Sequence, residues 1–237
     1  MIVDTHVHVF TADRKKYPQS RDTSRAGSIP SSSDSGQTEG PPTTIENLIA
    51  PTNEADVDKA TLVQASFAYE YDNSYAIDAA LAHPARFTAV VGDRVGDISS
   101  TTQAMDRYPE VKVAFEHSWQ HEVGAPPACS VLEPLFALAK NPNVYTKTTI
   151  NKIAAAREGG GKPAALYAKL VDVCGAKRIM WSSNYAAYPK FGRVKPRLKE
   201  SKKVLAFLSA KDQAWTIGKS ALAFYPALQS SVKPSQR

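Results

Sequence analysis

Met1-Ile-Val-Asp-Thr-His-Val-His-Val9 opens the chain and reads as a strand with a buried apolar set at Val3, Val7 and Val9. Residues two apart on an extended strand face the same side, so His6 and His8 project together near its C-terminal end. Two imidazoles on one face form a bidentate platform for a divalent metal. The same spacing also suits two structural histidines hydrogen-bonded to neighbours, and a bare H-x-H does not separate the two. Position adds weight to the metal, because barrel enzymes place their reacting groups at strand C-termini.

Working outward from this strand, apolar runs alternate with helical patterns. Helices are expected over residues 43–54, 73–83, 101–108 and 130–140, and from Pro163 to Gly175. A basic helix then runs to Leu208, and a last helix opens on a Ser209/Asp212 capping box and ends near Pro226. Pro51 should kink or stop the first of these, and Asn73 can cap the second. Strands are expected over residues 59–66, 87–91, 111–116, 144–149 and 177–182, which with the first makes six. Alternation of this kind argues for a parallel sheet with covered faces. A (β/α)8 barrel needs eight strands and about 250 residues, so periodicity by itself favours a doubly wound open sheet. Gln19 to Pro42 holds seven serines and one large aliphatic residue, Ile29, and reads as a long polar loop that is mobile unless a ligand orders it.

The 237 residues, 43% of them apolar and 22% charged, suffice for one large domain with its own core. No run of about 18 uncharged apolar residues marks a membrane span, and Met1 to His6 does not resemble a secretory leader. Cys129 and Cys174 form no C-x-x-C pair, which fits a reducing cytoplasm and excludes a disulfide scaffold or thiolate zinc site. The net charge of +6 is concentrated over residues 190–237, where eleven Lys/Arg face only Glu200 and Asp212. The cations interleave with apolar positions and no nucleic-acid motif accompanies them, so a solvated helix face is the expectation rather than a nucleic-acid surface. Gly159-Gly-Gly-Lys162 lacks the frame and the Ser/Thr of a phosphate loop, and neither a G-x-S-x-G elbow nor a G-x-G-x-x-G turn occurs.

Further candidates sit at other strand ends. Glu116-His117 ends the fourth expected strand and His121-Glu122 follows in the loop, so a histidine here has the chemistry of a metal ligand or general acid/base. His83 before Pro84 reads as a helix-end group. Lys147 lies inside an apolar strand and must point into a site or to solvent at the strand end.

Seven segments in order carry a resemblance: Asp4-Thr-His-Val-His-Val-Phe10, Val57-Asp-Lys-Ala-Thr-Leu-Val-Gln64, His83-Pro-Ala-Arg-Phe87, Val111-Lys-Val-Ala-Phe-Glu-His117, Asn143-Val-Tyr-Thr-Lys147, Ala176-Lys-Arg-Ile-Met-Trp-Ser-Ser-Asn184 and Leu205-Ala-Phe-Leu-Ser-Ala210. The chain resembles the amidohydrolase-related family of barrel hydrolases nearly end to end. That family includes pyrone-dicarboxylate lactonases and aminocarboxymuconate-semialdehyde decarboxylase. The resemblance implies an α/β (β/α)8 TIM-barrel ancestry, which replaces the open sheet. It implies a single barrel-like domain over residues 1–237, shortened to about six βα units, because strands four and five have no counterpart.

The same resemblance implies roles. His6 and His8 match the metal pair, and His117 matches the histidine ending the family's sixth strand. Asn184 stands where the family usually has an aspartate that binds metal or activates water, and an amide cannot be a base. The family's fifth-strand histidine is missing. His117 and Asn184 are thus the expected catalytic positions, Lys147, His121 and Glu116 the expected substrate-binding ones, and zinc or manganese the expected, weakly held, cofactor. The implied reaction is metal-assisted hydrolysis of a lactone or related C–O or C–N bond, with decarboxylation of an unsaturated acid beside it. Two alternatives stand: a weak or inactive scaffold for binding or assembly, and a lactonase that works without metal. The expected partners are a small-molecule substrate and a second copy of the chain, since six strands leave sheet edges exposed. Neither nucleic acid nor membrane is expected, and the location is cytoplasmic.

Overall fold

The computed structural model describes residues 1–19, 43–69, 72–90, 98–119, 133–186 and 192–229. The polar loop, His121-Glu122 and Cys129 fall outside these residues except for Gln19. Six strands form among the described residues: β1 (Val3–His8), β2 (Lys59–Val63), β3 (Phe87–Val90), β4 (Val113–Phe115), β5 (Val144–Thr149) and β6 (Ile179–Ser182). All ladders are parallel, in two sheets ordered β1-β2-β3 and β4-β5-β6. The first and last strands stitch these sheets together. Asn184 N donates to His6 O (2.9 Å), His8 N donates to Tyr185 O, and Thr5 Oγ1 donates to Trp181 O (2.9 Å). The spatial order is therefore β3-β2-β1-β6-β5-β4, a curved wall rather than an open doubly wound sheet, and the periodicity-based expectation is overturned. Seven residues, 91–97, separate β3 from the next helix, fewer than the dozen or more a single parallel crossover needs. Two βα units are absent from this place.

Helices pack around this wall. They are α1 (Ile45–Glu54), α2 (Ser66–Tyr69), α3 (Ser74–Ala82), α4 (Ile98–Arg107), α5 (Glu133–Leu138), α6 (Ile150–Glu158), α7 (Pro163–Cys174), α8 (Val194–Val204), α9 (Ala210–Ala214) and α10 (Ser220–Phe224). Val7, Ala60, Leu62 and Phe87 pack outward onto Leu48 of α1 and Ala79 of α3. Phe115, Val144 and Ile179 meet Leu166 and Leu170 of α7, and Trp181 meets Tyr167 and Leu198. The pleat then turns His6 and His8 of β1, Tyr145 and Lys147 of β5 and Met180 of β6 to the other, inner face, while a register irregularity between Asp4 and Val7 leaves Asp4 in step with Ala60.

Local chemistry sets several boundaries differently from the periodicity. The helix continues through Pro51 to Glu54, with the Thr52 hydroxyl on the carbonyls of Leu48 and Ile49 (both 2.9 Å). Asn73 stands at the N-cap of α3 but its side chain makes no capping bond there, and Asp72 Oδ1 instead accepts from Ser74 N at 2.8 Å. The second strand stops at Val63 because Ser66–Tyr69 turns helical, and Ala176–Arg178 forms a 3-10 turn that delays β6. The fourth ends at Phe115, and Glu116–Trp119 is a 3-10 turn, so Glu116 and His117 stand just beyond the strand. The Ser209 cap is present, its Oγ accepting from Asp212 N at 3.1 Å. The helix behind it is broken by a π-helical turn over Trp215–Lys219.

The C-terminal segment occupies the opening between β3 and β4, which no ladder joins among the described residues. Ala221 and Leu228 pack with Val3, Tyr145 and Met180, and the Phe224 ring lies 4.9 Å from that of Tyr145. On the β4 side Lys112 Nζ donates to Ala223 O (3.0 Å), and the 3-10 turn Pro226–Gln229 contacts β3. Lys59, turned inward from β2, donates to Leu228 O at 2.8 Å. Burying this apolar tail restores to the inner core some of the area that the missing strands would have filled.

Candidate active site

The site lies where β1, β4, β5 and β6 end. His6 and His8, both buried, hold their Nε2 atoms 3.1 Å apart. His6 Nδ1 donates to Glu116 Oε2 (2.6 Å) and His8 Nδ1 donates to the Val63 carbonyl (3.1 Å). A carboxylate and a carbonyl accept only, so each imidazole keeps its hydrogen on Nδ1 and turns an Nε2 lone pair towards the other. Asn184 Oδ1 lies 3.1 Å from His8 Nε2 and adds an amide oxygen to the pair. His117 follows β4 with its ring 4.4 Å from that of His6, and its Nδ1 is hydrogen-bonded to Thr149 Oγ1 at 3.1 Å. His117 and Asn184 both have left-handed backbones (φ 52° and 55°), a conformation that His and Asn adopt more readily than most residues and that recurs at functional sites.

Electrostatics keep most of this cluster neutral. Burial, the largest cause for both, lowers the His8 pKa to about 3 and pushes His117 well below the ordinary histidine value. Burial raises Asp4 to about 6 despite the hydrogen bonds it accepts from the amides of Ser183 (2.8 Å) and His6 (3.3 Å). Burial would also raise Glu116, but the Lys147 ammonium and His6 outweigh it and hold the carboxyl below the usual range.

The expected site residues therefore converge, apart from His121, which lies outside the described residues. Lys147 and Glu116, expected at a substrate, are committed to each other: Lys147 Nζ donates to Glu116 Oε1, and the lysine side chain is 0% exposed. Metal ligation through three protein groups is not built from carboxylates and imidazoles alone. Among the described residues no three His, Cys, Asp or Glu side chains gather around a metal position; the cluster is two imidazoles and one amide. His83 ends α3, away from the cluster, with its ring beside Phe87.

Four contributors escaped the sequence reading. Asp4 lies behind the platform and bonds the turn that carries Asn184. Thr149 orients His117. Tyr225 arrives from the C-terminal segment beside Lys147, with its ring centroid 5.5 Å from the ammonium. Arg197 belongs to the basic helix, yet it is 1% exposed and donates to the carbonyls of Gly192 (2.8 Å), Ser183 (3.1 Å) and Asn184 (2.7 Å). The solvated-face reading fails for this one cation and holds for Lys195, Lys199, Lys202 and Lys203, which are exposed. Only the i, i+4 spacing of Arg197 with buried Ser201 hinted at its inward face.

A curved parallel wall with outer helices and a two-histidine strand end defines a partial α/β barrel of the TIM-barrel amidohydrolase class. The profile of the Amidohydrolase family matches residues 94–227, more than half of the sequence, and the chain belongs to that family. An amidohydrolase from Burkholderia multivorans with bound zinc superposes with a TM-score of 0.69 at 12% identity, covering 95% of this chain and 99% of its own. A "probable 2-pyrone-4,6-dicarboxylic acid hydrolase" from Acinetobacter baumannii with citric acid bound gives 0.57 at 12% identity, covering 94% and 98%. The 5-carboxyvanillate decarboxylase LigW from Sphingomonas paucimobilis gives 0.51 at 11% identity, covering 95% and 98%. At these identities the likeness is one of fold. No curated protein matches the sequence. Family membership supports a hydrolase- or lyase-type enzyme, and no helix among the described residues is long and apolar enough to cross a membrane.

Proposed function

We propose that the chain is a metal-assisted hydrolase of a lactone or related C–O or C–N bond, with His6 and His8 as the metal platform. The observation that carries this reading is the pair of Nε2 lone pairs turned towards each other at 3.1 Å while both Nδ1 atoms are engaged by acceptors. Two imidazoles bound to one tetrahedral zinc at ~2.0–2.1 Å hold their nitrogens about 3.3 Å apart, close to the separation already present. Turning the Asn184 amide would bring its NH2 to His8 but would leave the two Nε2 lone pairs facing. The donor set therefore fits a divalent cation held by His6, His8 and the Asn184 oxygen. Its lack of a carboxylate ligand predicts weak occupancy. Such an ion supplies a Lewis acid that polarises a carbonyl and acidifies water.

The chain's own residues supply the rest. Glu116 fixes the tautomer of His6, as the outer carboxylate of a histidine–metal arrangement does. Asn184 offers an oxygen but no base, so proton acceptance falls to His117, which burial keeps neutral and Thr149 orients. The zinc-bound relative and the one named for a pyrone-dicarboxylate substrate support this reading over decarboxylation.

The test is elemental analysis after incubation with zinc or manganese, followed by a panel of lactones and esters. Metal uptake that rises towards one equivalent only with excess zinc or manganese, together with turnover that falls by more than about 100-fold in His8→Asn, is the expected result. A protein that takes up no metal and turns over nothing returns the reading to an inactive binding scaffold. Metal-free turnover that survives His8→Asn identifies the metal-independent lactonase.

A further inference from the structure

Lys147 is fully withdrawn from solvent in β5, and the proposed hydrolysis does not itself require a cation there. Its ammonium donates to Glu116 Oε1 at 2.5 Å, while the other oxygen of the same carboxylate accepts from His6 Nδ1 at 2.6 Å. The Tyr225 side chain is hydrogen-bonded to the ammonium, with its ring centroid 5.5 Å away. Phenol, ammonium, carboxylate and imidazole thus form one succession of contacts from the C-terminal segment to strand β1. Glu116 is the loose member, because it follows the strand in a 3-10 turn and its side chain is 32% exposed. With one donor on one oxygen, such a carboxylate turns readily towards water. With a donor on each oxygen, its plane and reach are fixed.

We infer that Lys147, braced by Tyr225, is a positioning residue that pins Glu116 against His6, so that the imidazole hydrogen stays on Nδ1 and Nε2 points at His8. The consequence for metal affinity rests on the platform reading above; the consequence for the imidazole tautomer does not. A purely structural ion pair behaves otherwise. Replacing a buried pair by neutral groups of similar volume is often tolerated, and such a pair would leave the His6 ring unchanged when it goes.

The experiment uses the full chain labelled with 15N-histidine, without metal, at pH 8. The His6 ring nitrogens are assigned by their loss in His6→Asn. In the wild type His6 shows one protonated Nδ1 and one lone-pair Nε2. In Lys147→Met the carboxylate is released and the two nitrogens move towards the averaged values of a tautomer mixture; Tyr225→Phe moves them in the same direction by less. Zinc affinity by calorimetry falls by about 10-fold in Lys147→Met, the low end for an outer partner of a ligand. Should Lys147→Met not fold with Glu116 left unbalanced, the double variant Lys147→Met/Glu116→Gln removes both charges, and its His6 spectrum decides. Ring nitrogens that stay at their wild-type positions in a folded variant overturn the inference. Wild-type protein that binds no zinc overturns the platform reading instead, and the tautomer shift then judges Lys147 by itself.

Discussion

Acid should destabilise the metal-free protein well before its carboxylates titrate, and the site sets the size of the effect. Two imidazoles, His8 and His117, are buried and neutral in the folded chain, with His8 lowered to about 3 and His117 also well below its ordinary value. In the unfolded chain both titrate near 6.5. Below that pH the unfolded state binds two protons that the folded state refuses, so stability is present above about 6.5 and drains as pH falls. Each group contributes about 1.4 kcal/mol per pH unit in that window, so the pair costs about 4 kcal/mol between pH 7 and 5. Asp4 acts in the opposite sense. Its folded value of about 6 lies above the ordinary 3.8, so the folded state gains a proton first and recovers about 1 kcal/mol by pH 5. Glu116, held low, contributes stability that is lost only below the ordinary carboxylate range and does not enter the window. The net loss is about 2–3 kcal/mol, a large fraction of a typical domain's stability. Urea unfolding followed by tryptophan fluorescence at pH 7 and pH 5 measures it, and Asp4→Asn should steepen the loss by removing the opposing proton. Stability that is flat or rising between pH 7 and 5 would refute the neutral-imidazole description of the site.

The remaining predictions concern the elements around that cluster. Asn184→Asp adds an anionic oxygen 3.1 Å from His8 Nε2 and should tighten zinc or manganese binding by about 10-fold or more, with any lactone hydrolysis rising alongside; unchanged affinity in calorimetry marks His6 and His8 as structural. Arg197→Met breaks three hydrogen bonds to the carbonyls of Gly192, Ser183 and Asn184 and should cost about 3 kcal/mol in chemical unfolding, with metal affinity falling as the Asn184 turn loosens. Self-association remains our proposal for whatever length of the β3 and β4 edges the C-terminal segment leaves uncovered, since neither edge pairs with a strand among the described residues; light scattering across a concentration series should give a dimer mass, and a constant monomer mass defeats it.

The order of the elements was legible because strand-forming runs and helical patterns alternate, and residues 144–149 were read to the residue. Closure was not legible from periodicity, since the contact that bends the sheet joins residues 6 and 184, far apart in sequence. It took the ordered family motifs to replace the open sheet by a barrel. His6, His8, His117 and Asn184 were visible because each lies within two residues of a strand's C-terminal end, where side chains of adjacent strands meet. Lys147 was visible as an anomaly, a cation in an apolar strand, but its partner could not be read from it. Arg197 was hidden among exposed lysines of the same charge, and Tyr225 among the aromatic residues of a helix end. Helix α6 was missed because Ile150–Glu158 has a weak amphipathic pattern and follows β5 with no intervening turn.

The place of the missing units explains how a shortened barrel keeps its cluster. Strand β1 carries the two histidines, β6 leads into Asn184, and the two strands adjoin through His6 O, Asn184 N and the Asp4–Ser183 bond. The opening lies on the other side of the wall, between β3 and β4, two strands from β1 in one direction and two from β6 in the other. Loss of strands there removes the ligand they would have brought but leaves undisturbed the hydrogen bonds that aim His6, His8 and Asn184. The segment that fills the opening adds Tyr225 to the side of the cluster where Lys147 and Glu116 stand. The chain's departure from an eight-stranded barrel and the positioning line behind His6 therefore have one structural origin, the C-terminal segment lying where two strands are absent.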